Sequence, residues 1–505
     1  MTNHLYDALF APLAGRGSPF LRFADGTTQS HAAFVGEAAR YAHALTALGL
    51  GPGDRVALQV PKSPEMLALI AGAIQAGVVF LPLNTSYTAA EIDYFVGNSG
   101  ARLLVCDPVA AERLAPVAAA HGAALETLGW GTGSLRDIAA GQGAHFATVA
   151  RGPDDLAAFL YTSGTTGRSK GAMLSHDNLL SNARVLVDLW RFTEADVLLH
   201  ALPIFHTHGL FVATNVMLLA GGSMIFLPKF DLDAVVAHLP QATAMMGVPT
   251  FYTRLLDDPR LTRDLVARAR LFISGSAPLL AETHRAWEAR TGHRILERYG
   301  MTETNMSTSN PHDGPRKPGT VGPALPGVEL KVCDPETGAT RPAGEIGMIE
   351  TRGPNVFKGY WQMPEKTAAE LRADGFFITG DLGYLDPDGY VVIVGRGKDL
   401  IISGGFNIYP KELELILDDQ PGVLESAVIG VPHPDFGETP VAVLVPEPGA
   451  APDLDAIAAA LRADLAGFKQ PRRIVLREEL PRNTMGKVQK AALREEYAGL
   501  FQPAD

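Results

Sequence analysis

The sequence predicts an α/β protein, with a large N-terminal domain of mixed sheets flanked by helices and a small α+β C-terminal domain joined to it by a hinge. Three observations carry this. Short apolar, strand-like runs alternate with amphipathic helical patterns through most of the chain. The 505 residues are 47% hydrophobic and 19% charged, which gives enough apolar mass for a sizeable core and excludes a mainly disordered chain. At residues 395–399 glycines and an aspartate cluster, and a different, shorter set of strands and helices follows. The domains are therefore expected at 1–397 and 398–505.

Residues 54–60 read as a buried strand. Ser63 then caps a helix with Pro64 at its first position and Gly77 past its end. Residues 156–162 form another strand, leading into a glycine-rich turn, and Ser175 caps a helix reaching about Trp190. Further short apolar runs lie at 197–203, 223–228, 244–248 and 271–274. The most apolar window, 209–228, is broken by Asn215 and by Gly221-Gly222, so it reads as helix, turn and strand, not as a membrane span. In the C-terminal part, strands are expected at 390–394, 426–431 and 441–445, with helices near 411–418 and 454–465.

Charge and cysteine content exclude several classes. Lys+Arg 43 against Asp+Glu 55 gives −12, which argues against a sequence-independent nucleic-acid binder. Cys106 and Cys333 form no CxxC, so a zinc ribbon or disulfide scaffold is excluded, and buried reduced thiols in the cytoplasm are expected. The N-terminus lacks a positive region followed by an apolar core, so no secretory signal is expected.

The strongest local signal is Tyr161-Thr162-Ser163-Gly164-Thr165-Thr166-Gly167-Arg168-Ser169-Lys170-Gly171. Hydroxyls, glycine backbone N–H groups and two cations on a turn after a strand suit a polyphosphate. A solvated turn is the alternative. It is not a Walker A loop, which needs adjacent Gly-Lys followed by Ser or Thr. This stretch resembles the phosphate loop of the adenylate-forming enzymes, the superfamily of acyl-CoA synthetases, luciferases and adenylation domains. Four more motifs resemble that family in its order: Glu297 to Glu303 (ERYGMTE), Thr379-Gly380-Asp381, Gly395 to Asp399 (GRGKD), and Asn483 to Lys487 (NTMGK).

The resemblance implies a two-step reaction. A carboxylate attacks the α-phosphate of ATP, releasing pyrophosphate, and a thiol then displaces AMP. It implies that Thr162, Ser163, Gly164, Thr165, Thr166, Gly167 and Lys170 hold polyphosphate. Glu297, Arg298, Tyr299, Gly300, Met301 and Thr302 would border the nucleotide. Tyr299 would stack on adenine, against a wall of Gly275, Ser276, Ala277 and Pro278. Asp381 and Arg396 would contact ribose. Glu303 would be the catalytic ligand of Mg2+, assisted by Thr166, and Lys487 the catalytic cation between the acid and the α-phosphate. Lys398 would mark the hinge that exchanges Lys487 for the face around Ser403-Gly404-Gly405-Phe406 between half-reactions. Coenzyme A is the implied co-substrate; Lys469, Arg472 and Arg473 are surface cations for its phosphates or simply a solvated face.

Within the superfamily, residues 205–211, 246–254, 274–278 and 302–306 resemble the malonyl-CoA synthetases. That implies malonate, or alternatively methylmalonate or another short-chain (di)carboxylic acid. A diacid buries a second carboxylate, which needs a cation. Arg254 is the expected clamp, with Ser276 and the catalytic-site His206 assisting. The alternative is that Arg254 pairs with Asp257 or Asp258 on its own helix. Thr207 and Met306 would bound the acyl pocket. His206 and His208 suggest no further ligands, so zinc is not expected. A module loading a carrier protein and a non-catalytic nucleotide-binding protein are the competing classes. A lysine acetyltransferase or deacetylase acting on Lys487 is an expected partner; nucleic acid and membrane are not.

Overall fold

The computed structural model describes residues 2–162, 169–335, 337–403, 406–465, 467–483 and 486–501. The described strands form four sheets. The six-stranded sheet runs, edge to edge, Ala124–Thr127, Leu103–Cys106, Arg55–Gln59, Val79–Pro82, Leu156–Thr162 and Lys170–Ser175. Its pairings are parallel except the last, where Thr162 stands opposite Lys170 across an antiparallel pair. The eight-stranded sheet runs Asn305–Ser309, Leu296–Met301, Leu271–Ser274, Ala244–Gly247, Val197–His200, Ser223–Phe226, Pro19–Arg22 and Thr28–Ser30. It too is parallel inside, with antiparallel edges. Inner strands such as Leu103–Cys106 and Val197–His200 are buried along their whole length, which is why they read as unbroken apolar runs.

The helices His31–Ala47 and Pro64–Ala76 pack against each other, backbone to backbone. A Cβ on Gly72 would lie 2.5 Å from the Ala38 carbonyl, so only glycine allows that approach. Pro64–Ala76 is capped as the sequence implies: Ser63 accepts from the Met66 N–H, and Gly77 ends it at φ 71°. One apolar cluster joins these helices to strands of both large sheets. A second cluster covers the other side of the eight-stranded sheet, where Trp287 meets Tyr252 and Phe272 edge-on.

Two expected elements differ. The run at 197–203 is a strand only to His200. Residues 209–228 do form helix, turn and strand, but the first part is a π-helix, His208–Thr214, continuing as Asn215–Ala220. The Gly209 carbonyl accepts from the Thr214 hydroxyl and meets His200 Nε2, both at 2.9 Å. Those side chains occupy an acceptor that the ordinary α-helical ladder would use, which favours the wider turn.

The third sheet is antiparallel: Glu329–Cys333, Gly347–Arg352, Phe377–Leu385 and Val391–Arg396. The fourth contains the hairpin Val423–His433 and Gly437–Pro446, flanked by Ile401–Ser403, Phe406–Ile408 and Arg473–Leu476. Helices Pro410–Asp418 and Leu454–Asp464 lie where expected. The hairpin strands extend past the expected 426–431 and 441–445, which were only their apolar centres. Cys106 and Cys333 are buried and free. Among the described residues no helix is long and apolar enough to cross a membrane.

Truncating Trp287, fully buried between Tyr252 and Phe272, removes the centre of the second cluster. Trp287→Ala is expected to destabilise the protein by about 3–5 kcal/mol, read as a lower urea midpoint.

Candidate active site

Strand Leu296–Met301 sorts the site into two sides, because neighbouring side chains of a strand face opposite ways. On one side, the Tyr299 hydroxyl donates to Asp381 at 2.5 Å. Arg396 holds the other Asp381 oxygen at 2.7 Å. Asp381 and Arg396 face each other across the third sheet. Burial, then the Asp381 charge, pushes the Tyr299 phenol far up, so it stays a donor. Asp381 retains acceptor capacity after these two bonds. Gly300 is enforced: a Cβ there would lie 1.7 Å from the Asn305 carbonyl. Glu297, one turn of the pleat earlier, is buried against His284 at 3.4 Å.

On the other side lies Arg298, with 3% of its surface exposed. Its Nε and Nη2 have no hydrogen-bond partner among the described residues. Burial pushes the guanidinium down to about 9, which leaves it charged at neutral pH. It crosses the strand-end loop at Gly275, where a Cβ would collide with it at 2.4 Å. Next in that loop, Ser276 sits at φ 72°, a left-handed conformation that a non-glycine residue holds only under constraint. The Ser276 hydroxyl meets His208 Nδ1 at 3.2 Å. His208 Nε2 and the Thr207 hydroxyl are buried without partners among the described residues. Thr207 and Met306 are both buried.

Lys487 joins the two sides. Desolvation in the cleft comes first, then repulsion from Arg396, and together they lower its ammonium to about 8. The residue remains solvent-exposed. It stands on an open wall, crowded by protein yet reached by water. Asp381, Lys398 and Asp399 also act on it. Gly486, just before it, packs on Thr250, 3.2 Å from the hydroxyl to the position of a Cβ. His206 lies within the field of both Arg298 and Lys487, and burial followed by those two charges lowers it to about 4. His206 is therefore neutral at physiological pH. A neutral ring offers a hydrogen bond, and an anion bound beside it would raise it again.

At the Thr162 and Lys170 end of the cleft, buried Glu303 accepts from the Tyr360 hydroxyl at 2.9 Å. Burial raises the Glu303 carboxyl, against the pull of Tyr360, Lys170 and Arg396. Lys170 lies beside Glu370 at 3.3 Å and the Tyr360 hydroxyl at 3.2 Å. Thr162 ends its strand with a buried hydroxyl lacking a partner among the described residues. Ser163, Gly164, Thr165, Thr166 and Gly167 lie outside the described residues, as do Gly404 and Gly405. No cluster of three or more metal-ligating acids, histidines or cysteines occurs among the described residues. A single buried carboxylate fits Mg2+ that arrives with a nucleotide and keeps phosphate and water ligands, and does not fit an all-protein cage.

Arg254 lies on the helix whose Thr250 packs on Gly486, next to Lys487. Helix Pro249–Leu256 buries Tyr252 and Leu255. At 100° per residue, position 254 falls off that buried face and about 40° from Thr250. Arg254 is exposed, its guanidinium 6.0 Å from the Phe230 ring centre. Asp258 pairs with Arg260 instead. Arg254 thus stands exposed with no carboxylate partner among the described residues, and Arg298, expected beside the nucleotide, is a second cation available to an anion, buried and without one among those residues. Strand alternation between Arg298 and Tyr299 was the signal available in the sequence. Tyr360 and Glu370 were missed altogether. Of the cations considered for coenzyme A, Lys469 pairs with Glu412 and Arg472 covers the Phe436 ring. Lys398, exposed, lies on the short turn Gly397–Asp399, beside an Arg494–Asp399 pair at 2.8 Å.

The His206 ring is expected to titrate near pH 4 by NMR in the unliganded protein. The unfolded chain takes that proton first, near 6.5, so stability is lost as pH falls from there to about 4 and no further below it. A titration above pH 6 would contradict the crowding by Arg298 and Lys487.

Residues 14–361 match the AMP-binding enzyme family, and residues 412–487 match the AMP-binding enzyme C-terminal domain. A malonate–CoA ligase of Arabidopsis thaliana is 36% identical over 88% of this chain and 78% of its own. A feruloyl-CoA synthase of Amycolatopsis sp. is 38% identical over 94% of both. The crystal structure of ATP-bound MatB from Rhodopseudomonas palustris is 60% identical, with a TM-score of 0.97, over 99% of this chain and 100% of that one. With its ordered motifs on one cleft, the chain belongs to the AMP-binding enzyme family, the adenylate-forming enzymes.

Proposed function

We propose that this protein is an AMP-forming malonate–CoA ligase. ATP with Mg2+, malonate and coenzyme A are its substrates. One observation carries the choice of acid: a buried, charged Arg298 without an anion among the described residues, which together with Lys487 acts on His206. The kinship with a malonate–CoA ligase and with MatB supports it.

In this reading one malonate carboxylate lies at Lys487 and the other at Arg298. The first attacks the α-phosphate; a new P–O bond forms, the bond to the β-phosphate breaks, and pyrophosphate leaves. Negative charge converges there, and Lys487, between the Asp381–Arg396 cluster and His206, offsets it. Asp381 and Arg396 hold the ribose, with Tyr299 fixed by its bond to Asp381. In the second step the thiolate sulfur attacks the acyl carbon and AMP departs. His208, Ser276 and Thr207 complete the acyl cavity, and Met306 limits its size, so methylmalonate is the natural competitor. Glu303 would hold Mg2+, which supplies charge neutralisation of the triphosphate. The chain divides for this purpose at 1–397 and 398–505, with Lys398 at the pivot. We place the reaction in the cytoplasm, consistent with two free buried thiols. Acetylation of exposed Lys487 by a partner enzyme would remove its charge and stop the first step.

With malonate and coenzyme A, the purified protein is expected to release AMP and pyrophosphate; ADP and phosphate would refute the reaction. Arg298→Met is expected to lower kcat/KM for malonate at least about 100-fold, because a buried charge partner is lost. The same change should raise Tm, since it removes an uncompensated buried cation. Arg254→Ala separates the two cations: kcat/KM for malonate within about twofold of wild type leaves the clamp to Arg298, and a loss as large as that of Arg298→Met assigns it to Arg254.

A further inference from the structure

The polyphosphate end holds a contact that the reaction scheme above does not use. Lys170 Nζ lies 3.3 Å from Glu370 and 3.2 Å from the Tyr360 hydroxyl, over the Tyr360 ring. The Tyr360 hydroxyl is within 2.7 Å of Glu370 and 2.9 Å of Glu303. One phenol proton can serve only one of these carboxylates at a time. The nearby ammonium is what lets two acids sit around one hydroxyl.

The arrangement is built into the fold. Residues 358–361 run beside strand Lys170–Ser175: Met173 N–H donates to the Gly359 carbonyl, and Trp361 N–H to that of Gly171. Tyr360 N–H is also held by Thr367 of helix Pro364–Glu370. Glu370 ends that helix, where the backbone dipole is negative and an acid is disfavoured. Lys366 supports it from one turn earlier at 2.6 Å. Glu370 thus keeps a cation when Lys170 leaves. The Lys170 and Glu370 side chains are 17% and 23% exposed, so the ammonium can move without crossing a core.

We propose that Glu370 is a competing anion for Lys170. It holds the loop lysine while polyphosphate is absent, yields it when a nucleotide triphosphate binds, and recaptures it as pyrophosphate leaves. The proposal rests on the AMP-forming reading above and makes Glu370 a positioning residue, acting through Lys170. Its physical consequence is a penalty shared by every polyphosphate that recruits Lys170, and therefore faster release of pyrophosphate.

The test is calorimetric binding of magnesium pyrophosphate to the wild type, Glu370→Gln, Lys170→Met and the double variant. Glu370→Gln is expected to bind it about two- to fivefold more tightly, the scale of a partly exposed ion pair. In the Lys170→Met background the same substitution should give no gain. In turnover, KM for MgATP should fall alongside, with KM for malonate unchanged. Glu370→Ser, smaller and also neutral, should show the same direction. Unchanged or weaker pyrophosphate binding in Glu370→Gln, or an equal gain without Lys170, would overturn the proposal. Wild-type protein that binds pyrophosphate but makes no AMP from any acid would instead sink the underlying reading.

Discussion

The account depends on a guanidinium left without an anion. A buried ion without a partner costs several kcal/mol, and folded proteins rarely keep one unless something else uses it. Arg298 is held there by its surroundings. Its strand is fixed on both sides by pairing to Leu271–Ser274 and Asn305–Ser309. The adjoining loop accommodates it only because position 275 has no side chain. Ser276 is strained beside it, and His208 and Thr207 leave polar atoms unsatisfied. Those costs gather around the Gly275-Ser276 loop, and the malonate proposed above would offset them.

The second constraint is distribution of charge along the cleft. Arg298, Lys487, Arg396 and Lys170 are the cations of the cleft; Asp381 pairs with Arg396, Glu370 with Lys170, and Arg298 has no anion among the described residues. Mutual repulsion and burial keep Lys487 less basic than a free lysine and His206 neutral. A substrate that brings phosphate and two carboxylates relieves this repulsion in several places at once. In the reading proposed above, a monoacid would leave Arg298 without an anion.

Much of this was legible in the sequence, for identifiable reasons. Fully covered strands announced themselves as unbroken apolar runs, and Ser63, Pro64 and Gly77 marked a helix from end to end. The ordered motifs placed Tyr299, Asp381, Arg396 and Lys487 in one cleft. What was not legible depended on rotation and register. Spacing could not say that Arg254 would stand exposed on its eight-residue helix, whose buried side shows only Tyr252 and Leu255. Arg298 was hidden by its motif, whose neighbours suggest one shared role although a strand sends them to opposite walls. The π-helix at His208–Thr214 arose from side chains at 200 and 214 that bind one carbonyl. Tyr360 and Glu370 belong to a segment whose position follows from strand pairing with a distant part of the chain.

The most direct test is a crystal structure with a non-hydrolysable malonyl-adenylate analogue bound. The account predicts the distal carboxylate bonded to the Arg298 guanidinium at about 2.7–2.9 Å, with Lys487 at the other end of the acyl group. A distal carboxylate directed to solvent or to Arg254, with Arg298 still unpartnered, would contradict it.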